Sequence, residues 1–195
     1  MEGPAAGEET HEAVMFRHAD GNVLAEVLPV LDAAQFSRVF GSAKALMFLA
    51  PDHPASDGSP IRRAVLPADA PPALPGLLKL SMDEMRGIEA ARLERSRRKV
   101  GGYLRDVDEQ AISGMSNTQL YELVRQYESD GNALGLRSER AHMKWAYLMS
   151  VSDGEIAKRP ETRQFFLESS KHPDDRIDDL LDMFDDVWTK SESAL

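Results

Sequence analysis

The chain has 195 residues, 42% of them apolar, enough for a sizeable core and against global disorder. It contains no cysteine, which excludes a disulfide scaffold and a thiolate zinc site and suits a reducing compartment. The formal charge of −10 argues against a general nucleic-acid binder, whose affinity rests on neutralising phosphates. No apolar run approaches the roughly 18 residues of a membrane span. The start, MEGPAAGEETHEA, lacks the basic-then-apolar pattern of a secretory leader, so the expected location is cytoplasmic. Residues 1–80 hold 6 Lys/Arg against 10 Asp/Glu, residues 81–107 hold 7 against 5, and residues 108–195 hold 10 against 18. A short basic segment between two acidic ones points to a partner-facing surface.

In chain order, residues 1–13 read as a frayed tail and Val14 to Arg17 as a short strand, ended by the turn residues Asp20-Gly21-Asn22. From Asn22, Val23, Val27, Val30 and Leu31 recur near helical spacing, with Pro29 as a kink or break. A second helix is predicted from Asp32, burying Phe36, Val39 and Phe40 and stopping at Gly41. Lys44 to Leu49 reads as a buried strand. The proline-rich stretch 51–76 reads mostly as loop, with Ile61 to Leu66 as an edge strand.

The second half is helical. Ser81-Met-Asp-Glu84 is a capping box that opens a helix toward Val100, with Gly101-Gly102 as a break or bend before Tyr103. Ser116-Asn-Thr-Gln119 is another, leading into Leu120, Leu123, Val124 and Tyr127 and ending at Asn132 and Gly135. Ser138 caps a helix with Ala141, Trp145, Leu148 and Met149 on one face. Pro160 starts the segment with Phe165 and Phe166, and Pro173 starts a last helix with Ile177, Leu180, Leu181, Phe184 and Trp188 on one face. The fold expected is α+β, mostly α: a small α/β region (14–78) with a proline-rich loop, packed on a five-helix lobe (81–188), then a tail (189–195). Leu123, Trp145, Leu148, Phe165, Leu180 and Phe184 are expected to be buried together.

Little here points to catalysis. His11, His18, His53, His142 and His172 are scattered singly without metal-ligand spacing, and no GxSxG, GxGxxG or phosphate loop occurs. No catalytic, metal or cofactor residue is assigned. The series Asp174, Asp175, Asp178, Asp179, Asp182, Asp185 and Asp186 lacks a calcium-loop pattern; it reads as the solvated back of an amphipathic helix or as an acidic partner surface. Residues 94–99, ERSRRK, are polar all round, so no side of that helix should be deeply buried, and Glu94 should pair with Arg98. Arg92, Arg95, Arg98 and Lys99 are either a solvated face or a docking surface for an acidic partner. Arg17 and Asp20 read as a fold device, with Asp20 accepting the amides of the turn that opens the helix, or as a partner contact.

The run FRHADGNVL, followed by Leu31-Asp32-Ala-Ala-Gln35 and Phe40-Gly41, resembles the latter part of the effector chaperones (adaptors) of the type VI secretion system. Their pattern is an F-R-aromatic-x-D-P-R-V-L stretch, a helix, a D-x-x-Q helix and a glycine. Phe16, Arg17, Asp20, Val23, Leu24, Gln35 and Gly41 keep that order, while His18 replaces the aromatic and Gly21-Asn22 replaces Pro-Arg. Leu80-Ser81-Met-Asp-Glu84-Met, Asn132 to Glu139 and Arg159-Pro160-Glu161-Thr162 are similar to motifs of the family's helical extension. The resemblance covers most of residues 14–187. It implies a short form without most of the family's N-terminal α/β region, acting without catalysis as an adaptor or co-chaperone. Its implied partners are a secreted effector, a longer adaptor or the secretion spike, with no nucleic acid, membrane or cofactor. An acidic immunity protein that blocks a basic toxin and a hydrolase with an unrecognised site are the other readings of the same chain.

Overall fold

The structure, a computed structural model, describes residues 17–192 except 74 and 169, with the side chains of 185–192 outside the description. The segment 14–16 and Trp188 of the predicted last helix fall in the residues or side chains left out. The fold is α+β and mostly α. The chain divides into two compact units, Met1–Ile88 and Glu89–Leu195.

In the first unit, Asp20 caps helix α1 (Gly21–Val27) by accepting the Asn22 and Val23 amides at 3.0 and 3.3 Å. Glycine is required at 21, because a Cβ there would lie 2.0 Å from the Leu49 carbonyl oxygen. Pro29 closes α1 into a single 3-10 turn over Leu28–Val30. Asp32 caps α2 (Ala33–Phe40) through the Gln35 amide at 2.7 Å, and Gly41 ends it at φ 56°. Strands β1 (Ala45–Leu49) and β2 (Ile61–Val65) pair antiparallel, with Ala45 opposite Val65, Met47 opposite Arg63 and Leu49 opposite Ile61. Leu46, Phe48 and Ala64 face inward onto Leu24, Leu28 and Phe40. The strand expected to be buried therefore alternates, with one apolar face outward.

Two polar ties fix this unit. Asn22 and Asp52 exchange hydrogen bonds at 3.1 and 3.2 Å. Glu26, almost wholly buried, meets the His53 Nε2 at 3.1 Å. The D-x-x-Q helix also clamps the approach to the next helix: Gln35 donates to the Lys79 carbonyl, and Arg38 to those of Leu77 and Pro75. Glu84 closes the predicted capping box with Ser81 and accepts the Asp32 amide at 3.2 Å.

Helix α3 (Met82–Val107) runs unbroken through Gly101-Gly102. The predicted break is absent because Val100 and Leu104 are buried on either side, and their burial outweighs about 1 kcal/mol of propensity lost per glycine. The second unit continues with α4 (Glu109–Ile112), α5 (Asn117–Ala133), α6 (Glu139–Val151), α7 (Glu155–Lys158), α8 (Pro160–Leu167) and α9 (Pro173–Glu192). Its core is Leu104, Ile112, Leu136, Trp145, Leu148 and Ile177, each at most 1% exposed. Of the six residues expected at the centre, Trp145 and Leu148 are there. Leu123, Phe165, Leu180 and Phe184 pack against it half-buried. Phe166 lies edge-on to Trp145, and Phe165 faces outward under the Arg176 guanidinium, 3.7 Å from its ring centre.

The turn between α5 and α6 is a Schellman motif. The Leu136 amide donates to the Gly131 carbonyl and the Gly135 amide to that of Asn132, with Gly135 at φ 90° and Leu136 wholly buried. Asp174 holds this turn from α9, accepting the Arg137 and Ser138 amides at 2.8 and 2.9 Å. Asp178 pairs with Lys144, and Asp179 with Lys171 at 2.8 Å. That part of the aspartate series is thus a set of structural ties, and its reading as a solvated back holds for Asp175 and Asp182, which are exposed.

Trp145→Ala should cost on the order of 3–5 kcal/mol in urea unfolding, against near zero for Asp182→Ala. Burial alone would raise the Asp174 carboxyl, yet the two backbone amides and Ser138 hold it below its usual value. Its contribution is therefore complete above the unfolded carboxyl range and lost as pH falls through the native value. Asp174→Ala should cost about 2 kcal/mol at neutral pH, and the gap to the unmodified chain should close below about pH 4.

Candidate functional site

Two surfaces carry the features that partner recognition needs, one in each unit. In the first unit the outer face of the β1–β2 sheet consists of Ala45, Met47 and Leu49 beside Val65, Arg63 and Ile61. Met47 is 72% exposed, Leu49 62%, Ile61 55% and Val65 49%. Four large apolar side chains on one small face are an uncommon exposure. Arg63 sits among them, exposed, with no side-chain partner among the described residues. Beyond β1 and β2 the described residues contain no further strand, so each pairs along one edge only.

In the second unit α3 presents its basic run to α5 and α6. Arg97 is the organising residue: its Nε donates to Glu128 at 2.6 Å and its Nη1 to Glu94 at 2.5 Å, while the Tyr121 hydroxyl donates to Glu94 at 2.5 Å. The Arg97 and Glu128 side chains are only 16% and 15% exposed. Burial alone would raise the Glu94 carboxyl, but the Tyr121 and Arg97 bonds hold it below the usual range. So Glu94 pairs one turn along with Arg97, with the Arg98 charge also acting on it, and this stretch of helix has a buried side.

Beside this network lies a cavity of about 390 Å³. Val100, Val124, Tyr127 and Ala146 give it an apolar floor, and Arg92, Arg95, Arg137 and His142 are among its polar lining. Burial pushes His142 below its ordinary value, so its ring is neutral at pH 7. The His142 Nδ1 is buried with no hydrogen-bond partner among the described residues. A Cβ on Gly131 would lie 2.9 Å from that nitrogen, so the glycine leaves the ring its place.

Arg17 is exposed and Asp20 is spent on the α1 cap. Arg92 and Arg95 are brought together at the cavity, whereas Arg98 is exposed and lies outside its lining and Lys99 pairs with Glu139 at 3.4 Å. Sequence reasoning missed Arg137, His142 and Glu128 as members of one site. The three stand on different segments, and no local pattern joins them. The described histidines are not assembled: His18 meets the Val39 carbonyl, His53 meets Glu26, and the His172 Nδ1 accepts the Asp174 amide. Among the described residues no group of three or more His, Asp or Glu is placed to hold a metal ion, and no helix is long and apolar enough to cross a membrane. Comparison with protein-family models, curated proteins and solved structures finds no match for this chain.

The charged network is testable by a double-mutant cycle. Arg97→Met strands Glu128 in a largely dry site and should cost about 2–4 kcal/mol. Arg97→Met with Glu128→Met should cost less than the sum of the single changes, with a coupling of about 1–3 kcal/mol in chemical unfolding.

Proposed function

We propose that this chain is a non-catalytic adaptor that holds a secreted effector of the type VI system until handover to the spike, directly or beside a longer adaptor. The observation that carries this reading is the exposed apolar face of the two-stranded sheet. Holding a partner needs desolvatable apolar area and a strand edge that can pair, and Met47, Leu49, Ile61 and Val65 supply the first while β2, which pairs only with β1 among the described residues, supplies the second. The ordered series of family-like motifs adds the system, and the roles of those motifs agree with a scaffold. Asp20 and Asp32 cap helices, and Gln35 and Glu84 tie down the connection into α3. The proposed setting is the bacterial cytoplasm.

Immunity is the second reading, and one observation favours it: a net charge of −10 suits the blocking of a basic toxin. Deletion of the gene separates the two. Loss of secretion of the effector encoded beside it, with healthy cells, is the adaptor outcome, and death of the producing cell relieved by deleting the toxin is the immunity outcome. Met47→Asp with Val65→Asp, both at exposed positions, should leave the melting curve within about 1 kcal/mol of the parent and abolish co-purification of the purified effector. Retained binding and secretion in that variant would remove the sheet face from the argument.

A further inference from the structure

We infer that the cavity between α3, α5 and α6 is a separate recognition site for the free C-terminal carboxylate of a protein chain ending in an apolar residue. The inference is independent of the sheet-face reading, because every residue it uses belongs to the helical unit.

Arg137 has more donors than the fold uses. Its Nη1 is held by the Asn132 carbonyl and Oδ1 at 3.4 and 3.3 Å and by the Leu136 carbonyl at 2.9 Å, all neutral oxygens. Its Nε and Nη2 have no partner among the described residues, and no carboxylate meets the guanidinium. A guanidinium offers five N–H groups in a planar fork, so the free side of this one is oriented for a bidentate carboxylate. The posture is fixed in advance, because the Schellman turn that supplies two of those acceptors is itself pinned by Asp174.

The surroundings select the rest of the ligand. Arg92 has no ion-pair partner among the described residues and lines the same cavity. Two of the three carboxylates that line it are already paired, Glu128 with Arg97 and Glu139 with Lys99. With His142 neutral, four arginines face three glutamates, so a positive surplus sits in a chain whose total charge is −10. The floor of Val100, Val124, Tyr127 and Ala146 gives an apolar group somewhere to rest. His142 lines the same cavity as a neutral ring. A terminal residue carries its carboxylate and its side chain on one carbon, so both ends of this site fill together. Arg92 and Arg137 are both exposed, so a chain can continue outward past them.

The test uses the full chain and N-acetylated pentapeptides ending in Leu, Phe, Ile or Val, each as free acid and as amide, titrated by calorimetry. At least one free acid should bind about tenfold or more tightly than its amide, as a charge-assisted bidentate pair requires. Arg137→Gln should remove that preference. Because that change also loosens the turn, Arg92→Gln is the second variant; its side chain is exposed, and the change should weaken the free acid about threefold and leave the amide unchanged. The His142 ring signals should shift with the free acid only. Arg98→Gln, outside the cavity lining, should bind like the parent. Equal binding of acid and amide, binding of neither, or inorganic phosphate binding as tightly as the best peptide would each overturn the assignment.

Discussion

The turn from α5 into α6 is the constraint on which the helical unit rests. Three things meet there: a left-handed glycine that lets the chain reverse, a buried leucine one residue on, and an aspartate from α9 that takes two backbone amides. Each covers a different liability. The glycine removes steric strain, Leu136 converts the reversal into core burial, and Asp174 satisfies amides that would otherwise be the orphan donors at the start of α6. Because α9 reaches back to that turn, the last helix is bound to the middle of the unit by charge as well as by Ile177.

The two polar clusters solve different problems. The Arg97 network joins α3 to α5 in a largely dry setting, where the cost of desolvating charges is met by complete pairing among Arg97, Glu94, Glu128 and the Tyr121 hydroxyl. Next to it, Arg92 and Arg137 keep their charge at the surface. A helix that looks uniformly basic in one dimension therefore turns Arg97 inward to Glu128 and Arg92 outward to the surface. Neither side needs a reaction to account for it.

Much of the architecture was legible because its signals are local. Both serine capping boxes, the aspartate caps at Asp20 and Asp32, the stop at Gly41 and the apolar faces of α5 and α6 all formed as their spacing predicts. What escaped was set by distant partners. Periodicity cannot see Ile112, Leu136 or Ile156, single apolar residues in connections and one-turn helices, although Gly135 at a helix end does signal a buried residue after it. The apolar run at 44–49 looks fully buried because its outward residues, Met47 and Leu49, are as apolar as its inward ones. The pairing of Arg97 with Glu128 spans 31 positions, and no spacing rule reaches that far. The same holds for the cavity, whose members come from three helices and a turn.

The arginines of β2 have a consequence for self-association. A short sheet with an unpaired edge strand and an oily face is a template for copies of itself, and proteins restrain such templates with charge. Strand β2 is Ile-Arg-Arg-Ala-Val, with Arg63 at its midpoint. Two copies meeting antiparallel about that midpoint would set one guanidinium directly against the other, a like-charge pair that opposes the ladder. A foreign strand with a carboxylate at the matching position meets no such opposition. The one charge on the oily face thus works as a gatekeeper, turning an edge prone to aggregation into one that discriminates between itself and others.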